Sequence, residues 1–179
     1  MTALQTARLT ISLCTPADFA EFIALEQDPE VMRFLNGGRA VDRSQSQPGE
    51  AFLKPEGTEP YVWTARRNLS GAFVGWFCLS DEGGNSAELG YRLRRADWSQ
   101  GLATEGARAL IDWGFRKAGY QRVFASTMAA NHGSRRVLEK IGLAHTRTLC
   151  VTWSDPGPGY DEGEVLYEAT RSQWLESKR

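Results

Sequence analysis

Between residues 86 and 127 the chain reads strand, glycine-bearing turn, helix, strand, and this order restricts the fold more than any other feature. "SAELGYRLR" (86–94) alternates in polarity, as a half-buried strand does. A helix follows from about Gly101 to Ala118, with Ala103, Gly106, Ala107, Leu110, Ile111 and Gly114 recurring at helical spacing. "RVFAST" (122–127) is the next strand. A helix that returns the chain to a second strand of the same sheet makes those strands parallel neighbours through a right-handed crossover.

The remaining elements arrange themselves around this unit. "RLTISLC" (8–14) reads as a strand, and "TPADFAEFIALEQ" as a helix with Thr15 as N-cap, Pro16 at the first helical position and Asp18 three residues after the cap. "PEVMRFL" predicts a second short helix ending at Asn36-Gly37-Gly38, and 37–60 is a long polar connection with one helical turn expected near Pro48 to Lys54. Strands at 61–68, 72–80 and 86–94, separated by Asn68–Gly71 and Asp81–Asn85, form an antiparallel meander. "NHGSRRVLEKIG" predicts a helix with Asn131 as N-cap, Val137, Leu138 and Ile141 inward, and Gly142 as C-cap. Strands near 143–153 and 163–170 close the chain, with the acidic loop "DPGPGYDEG" between them.

Composition narrows the function classes. In 179 residues, 41% hydrophobic and 24% charged, there is material for one soluble domain, 1–179, with a sizeable core. A formal net charge of -1 lacks the basic excess that offsets phosphates, so neither nucleic acid nor an anionic membrane is the expected partner. The apolar runs are too short to span a bilayer and "MTALQTARLT" lacks a signal peptide's apolar core, so a cytoplasmic location is expected. Cys14, Cys78 and Cys150 sit apart in apolar strand-like segments and suit reduced thiols. His132 and His145 are too isolated for zinc, and no metal site is expected.

The turn from Arg94 to Gly101 carries little bulk where the chain bends into the helix. The first N–H groups of a helix have no internal partner and sit at the positive end of its dipole, so small residues there leave a seat for phosphate. Gly101 also serves simple turn geometry, and Ala103, Gly106 and Ala107 also serve close packing of helix on sheet. The turn is neither a P-loop nor G-x-G-x-x-G.

These residues carry a resemblance. "AELGYRLRRADWSQGLATEGARALIDWGF" resembles the signature region of the GNAT superfamily of acyl-coenzyme A N-acyltransferases, closest to its RimJ/RimL-type branch. "NHGSRRVLEKIGL" resembles that branch's N-x-x-S-x-x-V-L-E-K-x-G-F, with Leu143 in place of the usual aromatic and Trp98 at a position that other branches fill with Arg or Gln. The resemblance implies an α/β (α+β) domain with a mixed, twisted, seven-stranded sheet and about four helices, in the order β-α-α-β-β-β-α-β-α-β-β. It implies acetyl-CoA as acyl donor, its pyrophosphate on the amides of Ser99, Gln100, Gly101, Leu102, Ala103 and Thr104. Its pantetheine arm lies against Tyr91, Arg92 and Leu93, between strands 86–94 and 122–127. Arg94 stands near the adenosine phosphates, Trp98 beside the cleft, and Asn131 and Ser134 against the pantetheine or acetyl end.

Acetyl transfer to an amine requires a neutral nitrogen, a polarised thioester carbonyl and a proton for the departing sulfur. By the resemblance Glu88 is the base, a main-chain N–H near Leu93 polarises the carbonyl, and Ser134 protonates the departing sulfur, since Leu138 stands where other branches carry a tyrosine. The leading expectation is direct transfer through a ternary complex to a primary amine, either a protein N-terminus or a small molecule, by a monomer or homodimer. A catalytically silent acyl-CoA sensor and a mononucleotide-binding domain are the other readings of the same turn. Asp155, Asp161, Glu162 and Glu164 attract a cationic acceptor or are simply solvated loop charge.

Overall fold

The computed structural model describes residues 3–35, 39, 55–150 and 159–177. Among the described residues eight strands form one sheet in the order β1-β2-β3-β4-β5-β6-β8-β7. They are β1 (Leu4–Gln5), β2 (Leu9–Leu13), β3 (Val62–Arg67), β4 (Phe73–Asp81), β5 (Ser86–Leu93), β6 (Arg122–Met128), β7 (Ala144–Leu149) and β8 (Glu164–Thr170). Among the described residues the β5–β6 pair alone is parallel, joined through helix α2 (Leu102–Trp113) as the strand–helix–strand reading requires. β1 brings the count to eight rather than seven, a two-residue strip folded back on β2.

Alternation along the strands divides the core between two faces of the sheet. On one face Leu9, Ile11, Trp63, Phe77, Leu89 and Leu93 pack under Leu102, Ala107, Leu110 and Ile111 of α2 and under Leu138 and Ile141 of α3 (His132–Ile141). The other face carries a smaller cluster, Val62, Phe73, Trp76 and Cys78, covered by Phe22 and Leu25 of α1 (Phe19–Gln27). α2 lies close to the sheet because Gly106 has no side chain: a Cβ there would come within 2.3 Å of the Phe77 ring. Beyond Trp113 the helix continues as a π-helical turn, Gly114–Ala118, and ends at Gly119 with φ 88°.

Two expectations change. The second short helix is replaced over residues 29–35 by mixed turns, with Met32 N bonding Asp28 O at 3.0 Å and Leu35 N bonding Met32 O at 2.8 Å. Seven residues do not repay helix nucleation on their own, and burying Met32 requires only a turn. At the C-terminus a helix unforeseen in the sequence, α4 (Arg171–Glu176), starts from Thr170, whose N–H and hydroxyl bond the Gln173 side chain, both at 2.9 Å. It is anchored by buried Trp174, packed at a tilt against Phe115 with ring centroids 5.7 Å apart and bonded through Nε1 to Asp112 at 3.0 Å. The helical turn expected near 48–54, most of the 37–60 connection and the first part of the 155–163 loop lie outside the described residues.

Candidate active site

The parallel pairing between β5 and β6 is short. Ser86 faces Arg122, Ala87 faces Val123 and Glu88 faces Phe124, and there the register ends, although β5 runs on to Leu93 and β6 to Met128. The two strands therefore splay from Glu88 onward while each stays paired on its outer side, β5 with β4 and β6 with β8. Main-chain direction in the open stretch follows from alternation. Ser86 O accepts from Glu82 N and Arg94 N donates to Val74 O, both toward β4, while Asn85 O accepts from Gln121 N on the β6 side. Residues 86, 88, 90, 92 and 94 thus direct their backbone to β4, and the N–H and C=O groups of Leu89, Tyr91 and Leu93 face the gap.

At the far end of β5 the chain turns into α2. Gly101 caps the helix with φ 77° and Ser99 also takes a positive φ of 59°. The first helical bond runs from Glu105 N to Gly101 O at 3.0 Å, leaving the amides of Leu102, Ala103 and Thr104 without helical partners at the positive end of the dipole. A brace from the neighbouring strands holds the turn open. Arg8 Nη1 bonds Gln100 O at 2.8 Å, and Arg67 Nη2 bonds Gln100 Oε1 at 2.6 Å and Asp97 Oδ1 at 2.7 Å. Asp97 is buried and also takes the Arg94 guanidinium at 2.8 Å. Glu105 ties the first turn of α2 to the β1–β2 connection, accepting from the Thr6 hydroxyl at 2.6 Å and from Arg8 N at 2.8 Å.

Polar side chains flank the gap on both faces. On the α1 face Glu88 is half-buried; desolvation is the main influence raising its carboxyl above the usual glutamate range, with repulsion from Glu82 and Glu164 adding to it. The Ser126 hydroxyl lies 3.5 Å from Glu88 Oε1, the outer limit of a hydrogen bond, and opposes the shift. On the α2 face Tyr91 reaches across the gap from β5 to α3, its hydroxyl 2.9 Å from Ser134 Oγ. Burial pushes the Tyr91 phenol up to about 12. Asn131 caps α3, its Oδ1 accepting from Ser134 N at 3.1 Å, which fixes the serine at the start of the helix. Trp98 lies partly exposed over the end of the gap, and its indole N–H donates to Leu93 O at 2.8 Å.

The sequence-predicted residues therefore divide. Glu88, Tyr91, Leu93, Trp98, Asn131 and Ser134 border the gap, and Ser99, Gly101, Leu102, Ala103 and Thr104 form the turn, Leu102 through its backbone alone because its side chain is fully buried. Arg92 does not join them: its backbone faces β4 and its buried side chain lies on the α1 face, 3.7 Å from Glu26 and over the Trp76 ring. Arg94 is occupied with Asp97, and the Gln100 side chain with Arg67 and with Ala96 O. The open hollow of about 930 Å³ beside Phe73 and Arg94 lies beyond the end of β5 and is not lined by Glu88. The Tyr91 hydroxyl and the Arg8–Arg67–Asp97 brace had no signature in the sequence. Among the described residues no group of three or more His, Cys, Asp or Glu side chains is placed to hold a metal ion.

A splayed parallel pair with a small-residue helix start at its mouth is the arrangement that the resemblance implies. The family model described as "Acetyltransferase (GNAT) domain" matches residues 8–144. The chain belongs to the GNAT acetyltransferase family. A relative from Aspergillus fumigatus, FsC-acetyl coenzyme A-N(2)-transacetylase, is 34% identical over 98% of this chain and 79% of its own. Among solved structures, a GNAT-family acetyltransferase from Bacillus anthracis superposes with a TM-score of 0.75 at 19% identity, covering 96% of this chain and 99% of its own. Spermidine N-acetyltransferase from Vibrio cholerae, in complex with CoA and spermine, superposes with a TM-score of 0.73 at 14% identity, covering 95% and 99%. As a GNAT member this protein is an enzyme, an acetyl-CoA-dependent N-acetyltransferase, with the mixed α/β fold of the family.

Proposed function

We propose that the enzyme moves an acetyl group from acetyl-CoA directly to the primary amine of a small molecule, both substrates bound at once on opposite faces of the β5–β6 gap. The observation that carries this reading is the end of strand pairing at Glu88 and Phe124, which opens the sheet beside a carboxylate whose proton affinity is raised.

Acetyl-CoA supplies an activated acyl group on a thiol that can leave. The amides of Ser99 to Thr104 meet its pyrophosphate at the N-terminus of α2, where large side chains would cover them. The gap-facing backbone of Tyr91 and Leu93 pairs with the pantetheine amides as an added strand would, with Trp98 over the end and Asn131 and Ser134 opposite. The Leu93 N–H polarises the thioester carbonyl.

An acceptor amine arrives largely protonated, because a lysine-like amine titrates near 10.4 and an α-amino group near 8. Glu88 removes the proton, directly or through water, and a carboxylate with raised pKa is the better base for that task. The Ser134 hydroxyl meets the departing sulfur. Glu82 and Glu164, whose charges reach Glu88, favour an acceptor that carries positive charge.

The RimJ/RimL-type branch rests on the Asn131-x-x-Ser134 spacing, and the activity of the N(2)-transacetylase relative, acetyl transfer to a nitrogen, supports an amine acceptor. Thiol release from acetyl-CoA across a panel of diamines, amino acids and N-terminal peptides tests the proposal. Turnover on small primary amines that E88Q reduces by about 10²- to 10⁴-fold is expected. Turnover confined to peptide N-termini, or an E88Q variant as active as the parent, overturns it.

A further inference from the structure

We propose that Tyr91 is a positioning residue that fixes the Ser134 hydroxyl as hydrogen-bond donor to the departing sulfur, so that the two side chains act as one unit across the gap. This rests on the assignment of Ser134 given above and adds to it a residue that the sequence motifs place only through its backbone.

Three observations support the pairing. Tyr91 comes from β5 and Ser134 from α3, the helix that follows β6, so their 2.9 Å contact spans the gap that the splay of β5 and β6 opens. Ser134 is itself anchored, its N–H held by the Asn131 cap. The second acceptor available to the phenol, Ser134 O, is farther away at 3.3 Å.

The direction of the hydrogen bond follows from acidity. A phenol, titrating near 10 in water, is a much stronger acid than an aliphatic hydroxyl and hence the better donor. Tyr91 O–H therefore donates to Ser134 Oγ, which leaves the serine's own proton to point away from the phenol, into the gap. A serine rotor is otherwise free to turn toward any nearby acceptor; the tyrosine removes that freedom before the substrates arrive. Burial pushes the phenol up to about 12, so the donor stays protonated at neutral pH.

The chemistry asks for a donor rather than a strong acid. Glu88 takes the ammonium proton and passes it to solvent before attack. As the C–S bond breaks, the sulfur keeps the electron pair, the acyl carbon bonds the amine nitrogen, and the proton that this nitrogen then sheds leaves to water. A thiol titrating near 8.5 is a tolerable leaving group as thiolate. A positioned neutral O–H that bonds the developing charge stabilises it, and water supplies the sulfur's proton afterwards.

The test is a double-mutant cycle on the full-length enzyme with Y91F, S134A and Y91F/S134A, reading kcat, KM for acetyl-CoA and thermal midpoint. Y91F keeps the ring and its packing and removes only the hydroxyl. The account predicts that Y91F lowers kcat by about 3- to 10-fold, the size of one neutral hydrogen bond, with KM for acetyl-CoA and the thermal midpoint little changed. It further predicts that Y91F has no additional effect on kcat once Ser134 is alanine. Loss of the same factor in both backgrounds shows that Tyr91 acts independently of Ser134 and overturns the proposal, as does an unaffected kcat or a loss confined to KM. If S134A alone leaves kcat at the parent level, the assignment of Ser134 fails first, and this inference with it.

Discussion

Glu88 on β5 stands opposite Phe124 on β6, and no residue beyond that pair keeps the two strands in register. A carboxylate at the point where a sheet opens is reached from the gap yet shielded enough that desolvation raises its proton affinity. The pH dependence of catalysis follows. In the proposed mechanism Glu88 works as a base only when ionised, so kcat/KM falls as pH drops through its pKa, and that acidic limb lies above the ordinary glutamate range. E82Q removes a like charge and moves the limb to lower pH; S126A removes the one hydrogen bond that opposes the shift and moves it to higher pH. Rate profiles of the three proteins on one acceptor check both signs.

Gly101 is required by its backbone rather than by lack of room. With φ 77°, and with the nearest atom to an added Cβ being Arg8 Nη2 at 3.5 Å, G101A introduces strain without a clash. A left-handed non-glycine residue costs about 1–2 kcal/mol, and the strain is relieved by turning the amides of the α2 start. Urea unfolding should show that loss together with weaker acetyl-CoA binding. G133A is the contrast: the nearest atom to a Cβ is Asn131 Oδ1 at 3.6 Å and the site is helical, so it should be neutral or stabilising by about 0.5–1 kcal/mol.

Asp97 links the braces of the turn, being buried between the Arg67 and Arg94 guanidiniums. D97N removes charge from two hydrogen bonds to cations, each of a kind that contributes about 1.5–3 kcal/mol, although the partly exposed arginines regain part of it in water. The expected result is a raised KM for acetyl-CoA with kcat retained at saturation, because the brace shapes the seat and not the reacting groups. Equal losses in kcat at saturating donor would contradict this assignment.

Asp18 anchors the start of α1 to the sheet. Burial raises its pKa, but Arg66, the Thr15 N–H and the Thr64 hydroxyl together outweigh burial and hold the carboxyl below its usual 3.8. Its contribution to stability is therefore present above the unfolded-state value and is lost as pH falls through the lower folded-state pKa. In urea titrations D18N should be less stable than the parent at pH 7, and the two should converge as the pH falls below about 3.8.

The parts of this architecture that depend on local chain chemistry were readable from sequence. The β5–α2–β6 crossover shows in its change of hydrophobic period, and Asn131 and Gly142 mark the ends of α3 by capping chemistry. What escaped depends on residues distant in sequence. Arg8 and Arg67 reach Gln100 from the β1–β2 connection and from the end of β3, and no spacing near the turn announces them. The resemblance puts Arg92 in the donor seat along with Tyr91 and Leu93; strand alternation sends its side chain to the opposite face, with Glu26. The same alternation, applied with the correct phase, puts Tyr91 on the face of α3, but its meeting with Ser134 needs the splay that only the sheet register reveals. α4 did carry a signal, the Thr170-x-x-Gln173 capping box ahead of buried Trp174.

The most direct test of the whole account is a crystal structure of the enzyme grown with acetyl-CoA. The account predicts diphosphate oxygens on the amides between Ser99 and Thr104, pantetheine along the backbone of Tyr91 and Leu93, and the thioester sulfur within hydrogen-bond reach of Ser134 Oγ. Acetyl-CoA bound away from the β5–β6 gap, or seated there with its sulfur remote from Ser134 and its carbonyl remote from Leu93 N, would contradict it.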